Sequence, residues 1–133
     1  MSFALHPRLM ADTAFIADWE LSRVLLMNDA RYPWIVLVPR RADLTELFDL
    51  DAAERGVLMA ETARASERLK DWAKADKINV GAIGNLVPQL HVHVVARKIG
   101  DEAWPAPVWG RGKPVPYTAD ALARLTDALR TVL

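Results

Sequence analysis

One long stretch of helical period stands between two pairs of short apolar runs, and that order restricts the chain to few architectures. Leu58, Thr62, Ala65, Leu69 and Trp72 recur at alternating four and three, and Asp51-Ala52-Ala53-Glu54 reads as an N-cap with a glutamate at N3. The spacing predicts a helix from Asp51 to about Ala75 that packs on this stripe and turns Glu54, Glu61, Arg64, Arg68 and Asp71 to water. Gly56 costs about 1 kcal/mol relative to alanine without defeating the pattern. Before the helix, Ser22–Met27 and Trp34–Val38 are apolar runs of strand length separated by the turn-rich Asn28–Pro33. After it, Lys77–Gly81 and Gln89–Arg97 flank a glycine-containing loop. Each pair reads as a hairpin. Strands joined by short connections, rather than alternating with helices, pair antiparallel, so the expected class is α+β with helices against the sheet.

The remaining segments are read around that frame. Leu5–Ala11 is a short helix or turn, and Asp12-Thr13 and Ala17-Asp18 read as loop. Pro39 cannot donate to a ladder and closes the second strand, after which Arg40-Arg41 reach the surface and a loop runs to Leu50. Residues 104–116 hold too many prolines and glycines for regular structure, while Trp104 and Trp109 pack this stretch onto the body. Thr118 caps a terminal helix with Leu122, Leu125, Leu129 and Val132 as its apolar stripe. A chain of 133 residues fits one domain, 1–133. Lysine plus arginine and aspartate plus glutamate number 17 each, so no net field draws the molecule to nucleic acid or anionic lipid, and phosphate binding must be local. The absence of cysteine excludes disulfides and thiolate metal sites and agrees with a reducing compartment. No apolar h-region follows Arg8 and no run approaches the ~18 residues of a membrane span, so the expected location is the cytoplasm.

The chemistry concentrates in Gln89-Leu90-His91-Val92-His93-Val94. Side chains alternate along a strand, which places Gln89, His91 and His93 on one face and Leu90, Val92 and Val94 on the other. Two imidazoles about 6 to 7 Å apart on a sheet suit proton, phosphate or metal chemistry. The expected position is an edge region of the sheet, with the free amides of the Gly81–Asn85 loop able to cradle an anion beside the rings. A strand His-x-His is a frequent start of a metal site, but the usual minimum is three protein ligands. His6 is remote in sequence and no Asp or Glu lies in the motif, so no metal site is assigned. Read without context, Asn28 and Asn79 are turn formers and Gly81 and Gly84 belong to a tight turn.

The stretch from Ile78 to Lys98, with Asn-x-Gly, Gly-Asn and then Gln-x-His-x-His-Val-Val-x-Arg, resembles the signature of the histidine triad (HIT) nucleotide hydrolases and transferases, normally His-x-His-x-His followed by apolar residues. The hairpin Leu26-Met27-Asn28-Asp29 to Ile35-Val36-Leu37-Val38-Pro39-Arg40 is similar to that family's nucleoside-pocket hairpin. The likeness covers about residues 20–110, leaving the loop and helix of 104–133 largely beyond it. It implies an antiparallel five-stranded sheet with one long central helix and a C-terminal helix, a homodimer joining two such sheets, and a nucleotide substrate, with a purine nucleoside phosphate expected. It also implies that His91 attacks the α-phosphorus to form a nucleotidyl-histidine, using a neutral ring whose other nitrogen donates to a backbone carbonyl. His93 would hydrogen-bond the phosphate and help protonate the leaving group. Asn79, Gly84 and Asn85 fall where phosphate-loop residues lie, and Asn28 with Asp29 where a ribose ligand is expected. Gln89 stands in the place of the first histidine and cannot titrate near neutrality. One branch of the family, which transfers nucleotidyl groups to sugar phosphates, also carries a glutamine, but in place of the last histidine, so no transferase activity is inferred.

The expected activity is hydrolysis of a nucleotidyl phosphoanhydride or phosphoramidate, such as a dinucleoside polyphosphate, with no cofactor. Two other readings stay open at this level. One is a nucleotide-binding, sensing protein that lost turnover with the first histidine. The other is a His-x-His metal-binding sheet protein.

Overall fold

The computed structural model describes residues 2–133. A short helix α1 (Pro7–Asp12) leads into strands β1 (Thr13–Asp18), β2 (Ser22–Met27) and β3 (Trp34–Pro39). A single 3-10 turn at Leu47–Asp49 precedes the long helix α2 (Ala52–Ala73), and then come β4 (Lys77–Gly81), β5 (Val92–Arg97) and α3 (Ala119–Val132). The five strands form one sheet in the order β1-β2-β3-β5-β4. Every neighbouring pair is antiparallel, as expected for an α+β chain of hairpins. Among the described residues no helix is long and apolar enough to cross a membrane.

Caps and patterning account for most of these elements. The Asp51 carboxylate accepts the Glu54 amide at 2.8 Å to start α2, and Thr118 Oγ1 accepts the Ala121 amide to start α3. α2 ends at Ala73, two residues before the predicted Ala75, because Lys74 turns into the left-handed region at φ 52°. Leu58, Ala65 and Leu69 of α2 and Leu129 of α3 bury against Val24, Leu26, Ile35, Leu37, Val92, Val94 and Ala96 on one face of the sheet. The opposite face carries Leu25, Trp34, Val36, Val38 and Val95, covered by Leu9, Tyr32 and Val108.

The structure corrects the readings of β1, of β5 and of Glu61. Thr13, Ala17 and Asp18, read as loop, belong to strand β1; this edge strand carries a register irregularity between Phe15 and Ala17, which breaks the alternation that would have marked it. β5 begins at Val92 rather than Gln89, since the Leu90 amide leaves the ladder to donate to the Leu44 carbonyl. It also lies between β3 and β4, so the histidines are not at the sheet's edge. Glu61 does not face water. It is 6% exposed, and its two oxygens accept the amides of Leu21 at 3.0 Å and Ser22 at 3.1 Å, pinning the β1–β2 turn to α2.

The proline- and glycine-rich segment after β5 is ordered by tertiary contacts. Ala103 and Val108 are buried, Ala30 donates to the Val115 carbonyl, and Arg31 Nη1 donates to the Arg111 carbonyl at 2.8 Å. Cutting the Glu61 tie should be costly, because two buried amides would lose their acceptor. Glu61→Ala is expected to lower stability by about 3 kcal/mol, measured by urea unfolding, whereas exposed Glu67→Ala should change it by less than about 0.5 kcal/mol.

Candidate active site

His91 and His93 project from the same side of β5 and its lead-in, toward the layer holding Trp34 and Val95. Their ring centroids lie 4.7 Å apart at an interplanar angle of 76°. Both side chains are largely enclosed, each residue being 6% exposed. The sequence places them on one face through the strand's period of two, and the structure agrees.

Hydrogen bonds distinguish the two rings. His91 Nδ1 lies 2.7 Å from the Gln89 carbonyl oxygen. A carbonyl only accepts, so Nδ1 carries the proton and Nε2 is left with its lone pair. That nitrogen has no hydrogen-bond partner among the described residues. In His93 the pattern is inverted: Trp34 Nε1 donates to Nδ1 at 3.0 Å, so in the neutral ring Nε2 carries the proton. Trp34 stands edge-on to His93 at 5.5 Å, with Trp109 at 5.7 Å. Gly81 leaves room for that second indole, since a Cβ there would meet Trp109 at 3.1 Å.

Burial and the neighbouring His91 push the His93 pKa from 6.5 down to about 3. At neutral pH the buried, unliganded ring is therefore neutral and presents Nε2–H as a hydrogen-bond donor.

The other predicted residues divide into those beside the pair and those held elsewhere. Gln89 and Gly84 line a cavity of about 270 Å³ together with His91, and Glu46, Phe48 and Ile83 contribute to its walls. Gly84 takes the left-handed conformation at φ +71°, and Asn85 beside it is exposed. Among the described residues, the amides of residues 82–86 make no intramolecular hydrogen bond. Gln89 does not offer its amide to the rings: Oε1 accepts the His6 amide and Nε2 donates to the Ala4 carbonyl, both at 2.8 Å.

Asn79 Oδ1 accepts from Arg97 Nη1. Asn28 Oδ1 accepts the Tyr117 amide, and the buried Asp29 pairs with Arg31 at 2.8 Å while accepting the Val115 amide. The ladder puts Met27 in the row of Trp34 and Val95 and leaves His91 beyond Val92 and Leu37, so Asn28, Asp29 and His91 lie toward opposite ends of the strands. The structure therefore does not bring the expected ribose ligands to the histidine pair. Among the described residues no set of three His, Cys, Asp or Glu side chains stands ready to hold a metal.

Sequence reasoning missed Trp34 as the partner of His93 and the backbone of residues 4–6 as the partner of Gln89. The Trp34 contact depends on the pairing of β3 with β5, which no local pattern encodes. The His93 environment predicts its own pH signature. The unfolded chain takes up a proton near pH 6.5 while the folded chain resists until about pH 3, so this contribution is intact above 6.5 and is lost as pH falls toward 3. Between pH 7 and pH 5 wild-type stability should drop by about 2 kcal/mol more than that of His93→Asn, measured by urea unfolding at both pH values.

Comparison with known proteins places this arrangement. A histidine triad protein from Bradyrhizobium japonicum superposes with a TM-score of 0.95 at 49% sequence identity, over 99% of this chain and 98% of that one. One from Marinobacter aquaeolei gives a TM-score of 0.97 at 44% identity, over 100% and 97%. A protein of Mycobacterium tuberculosis named AP-4-A phosphorylase is 39% identical over 82 residues, covering 53% of this chain. The match spans only 40% of that curated relative's length. The family model for the HIT domain matches residues 8–100. With its five-stranded antiparallel sheet and its histidine pair on β5 and the lead-in to it, this chain belongs to the HIT domain family, whose members are nucleotide hydrolases and transferases.

Proposed function

We propose that this chain hydrolyses a nucleotidyl phosphoanhydride or phosphoramidate through a nucleotidyl-histidine on His91. The observation that carries the reading is the 2.7 Å contact from His91 Nδ1 to the Gln89 carbonyl, which leaves Nε2 as a lone-pair nitrogen. In the first step that lone pair attacks the α-phosphorus while the bond to the leaving group breaks, and the leaving group takes its proton from solvent. In the second, water displaces the imidazole from phosphorus, releasing a nucleoside monophosphate and restoring the neutral ring. His93 Nε2–H donates to a non-bridging phosphate oxygen, where charge develops in the transition state. The unpaired amides of residues 82–86 supply further donors on the cavity side of His91. The reaction as written uses no cofactor.

The relative named AP-4-A phosphorylase supports a dinucleoside polyphosphate as one substrate to test, alongside an adenosine phosphoramidate. A homodimer belongs to the same proposal. β4 is an edge strand, and around it Val80 is 50% and Met59 69% exposed, an apolar margin suited to a second copy. The competing reading, a nucleotide sensor with little turnover, draws support from Gln89, whose amide is committed to the N-terminal segment.

Incubation with adenosine phosphoramidate or diadenosine tetraphosphate should release AMP, and His91→Ala should reduce the rate by at least about 1000-fold. Nucleotide binding without turnover in the wild type would sink the hydrolase and leave the sensor. For the assembly, light scattering should find a dimer that Val80→Asp converts to a monomer; a wild-type monomer would remove that part of the proposal.

A further inference from the structure

Gln89 makes contacts in two directions. Its side-chain amide faces the N-terminal segment, giving one acceptor to the His6 amide and one donor to the Ala4 carbonyl. These two groups flank Leu5, so the amide binds the segment as the N–H and C=O of one residue on a neighbouring strand would. Phe3 and Leu5 then pack against the apolar layer that includes Trp34 and, at its margin, Trp109. The backbone of Gln89 faces the other way, its carbonyl accepting from His91 Nδ1.

The peptide unit between these contacts is held on one side by Leu90, whose side chain is buried in the core, but not by the sheet. Gln89, Leu90 and His91 lie outside the ladder, which begins at Val92. The same peptide plane that presents the Gln89 carbonyl also presents the Leu90 amide, which donates to the Leu44 carbonyl at 2.9 Å. That bond holds the amide side of the plane and does not by itself aim the carbonyl at His91 Nδ1. The anchored side chain fixes the Cα at its other end.

We propose that Gln89 is a positioning residue: by clamping the backbone of Ala4 and His6 it holds its own carbonyl on His91 Nδ1, so docking of the N-terminal segment sets the tautomer of the nucleophile. The functional part of this inference rests on the hydrolase reading above. A histidine could not make the same clamp, because its ring nitrogens diverge from one rigid ring, whereas an amide presents a donor and an acceptor side by side. A carboxylate would set an oxygen against the Ala4 carbonyl.

The test separates the clamp from the chemistry. His6 has φ −55° and ψ 135°, values a proline adopts, so His6→Pro removes the N–H donated to Gln89 while keeping the backbone course. His6→Ala is its control, since it keeps that N–H and, like proline, lacks the side-chain cap for Arg8. Gln89→Met removes both bonds at similar volume. Long-range proton–nitrogen NMR of the imidazoles reads the tautomer directly, with or without turnover. Wild type and His6→Ala are expected to show His91 protonated on Nδ1, while His6→Pro and Gln89→Met show a mixture of tautomers. With adenosine phosphoramidate, kcat should fall about tenfold in these two variants at little change in KM. If Gln89→Met fails to fold, His6→Pro decides. An unchanged His91 tautomer in folded His6→Pro overturns the proposal. A wild type without turnover instead removes the hydrolase reading and leaves the tautomer measurement to judge the clamp.

Discussion

The pairing of β3 with β5 is the contact on which the rest of the molecule depends. It joins Trp34 to Val95, Ile35 to Val94, Val36 to His93 and Leu37 to Val92 across the full length of α2 in sequence. Without it the sheet would fall into a three-stranded β1-β2-β3 unit and a β4-β5 hairpin, neither able to bury both faces. With it, β3 is buried at every residue, and α2 closes one side of the sheet while the terminal segments close the other. The same register brings an indole from the first hairpin against an imidazole from the second. Core formation and the state of His93 are thus one event.

The sequence disclosed what depends on local period. The helix cap at Asp51, the stripe from Leu58 to Leu69 and the common face of His91 and His93 follow from spacings that neighbouring residues impose on one another. It was silent where a partner lies far along the chain. Glu61 sits at a helix position that reads as wet, and only the fold brings the Leu21 and Ser22 amides to it. Asn28 and Asp29 look like free polar side chains at a turn until Tyr117 and Val115 arrive to use them. Strand β1 was hidden because its register is irregular.

A pattern connects these differences. Polar side chains that the family resemblance assigns to a ligand are here engaged with other parts of the chain, mostly its N- and C-terminal segments. Asn28 and Asp29 hold residues 115–117, Asn79 holds Arg97, and Gln89 holds residues 4–6. The layer above the histidines is consequently made of terminal segments tied down by side-chain-to-backbone bonds, with Trp34, Tyr32 and Trp109 filling the space beneath. The opening lined by His91 is the cavity between the 45–48 and 82–91 segments.

The Trp34–His93 bond has a further consequence for proton traffic. An indole nitrogen can donate but has no lone pair to receive, so a proton cannot pass through Trp34 into the interior. At the other end of the pair, His91 Nδ1 stops at a peptide carbonyl, which is too weak a base to take its proton on. Both imidazoles therefore terminate in groups that fix hydrogen positions without relaying them. The pair works as an electrostatic fixture rather than a proton wire.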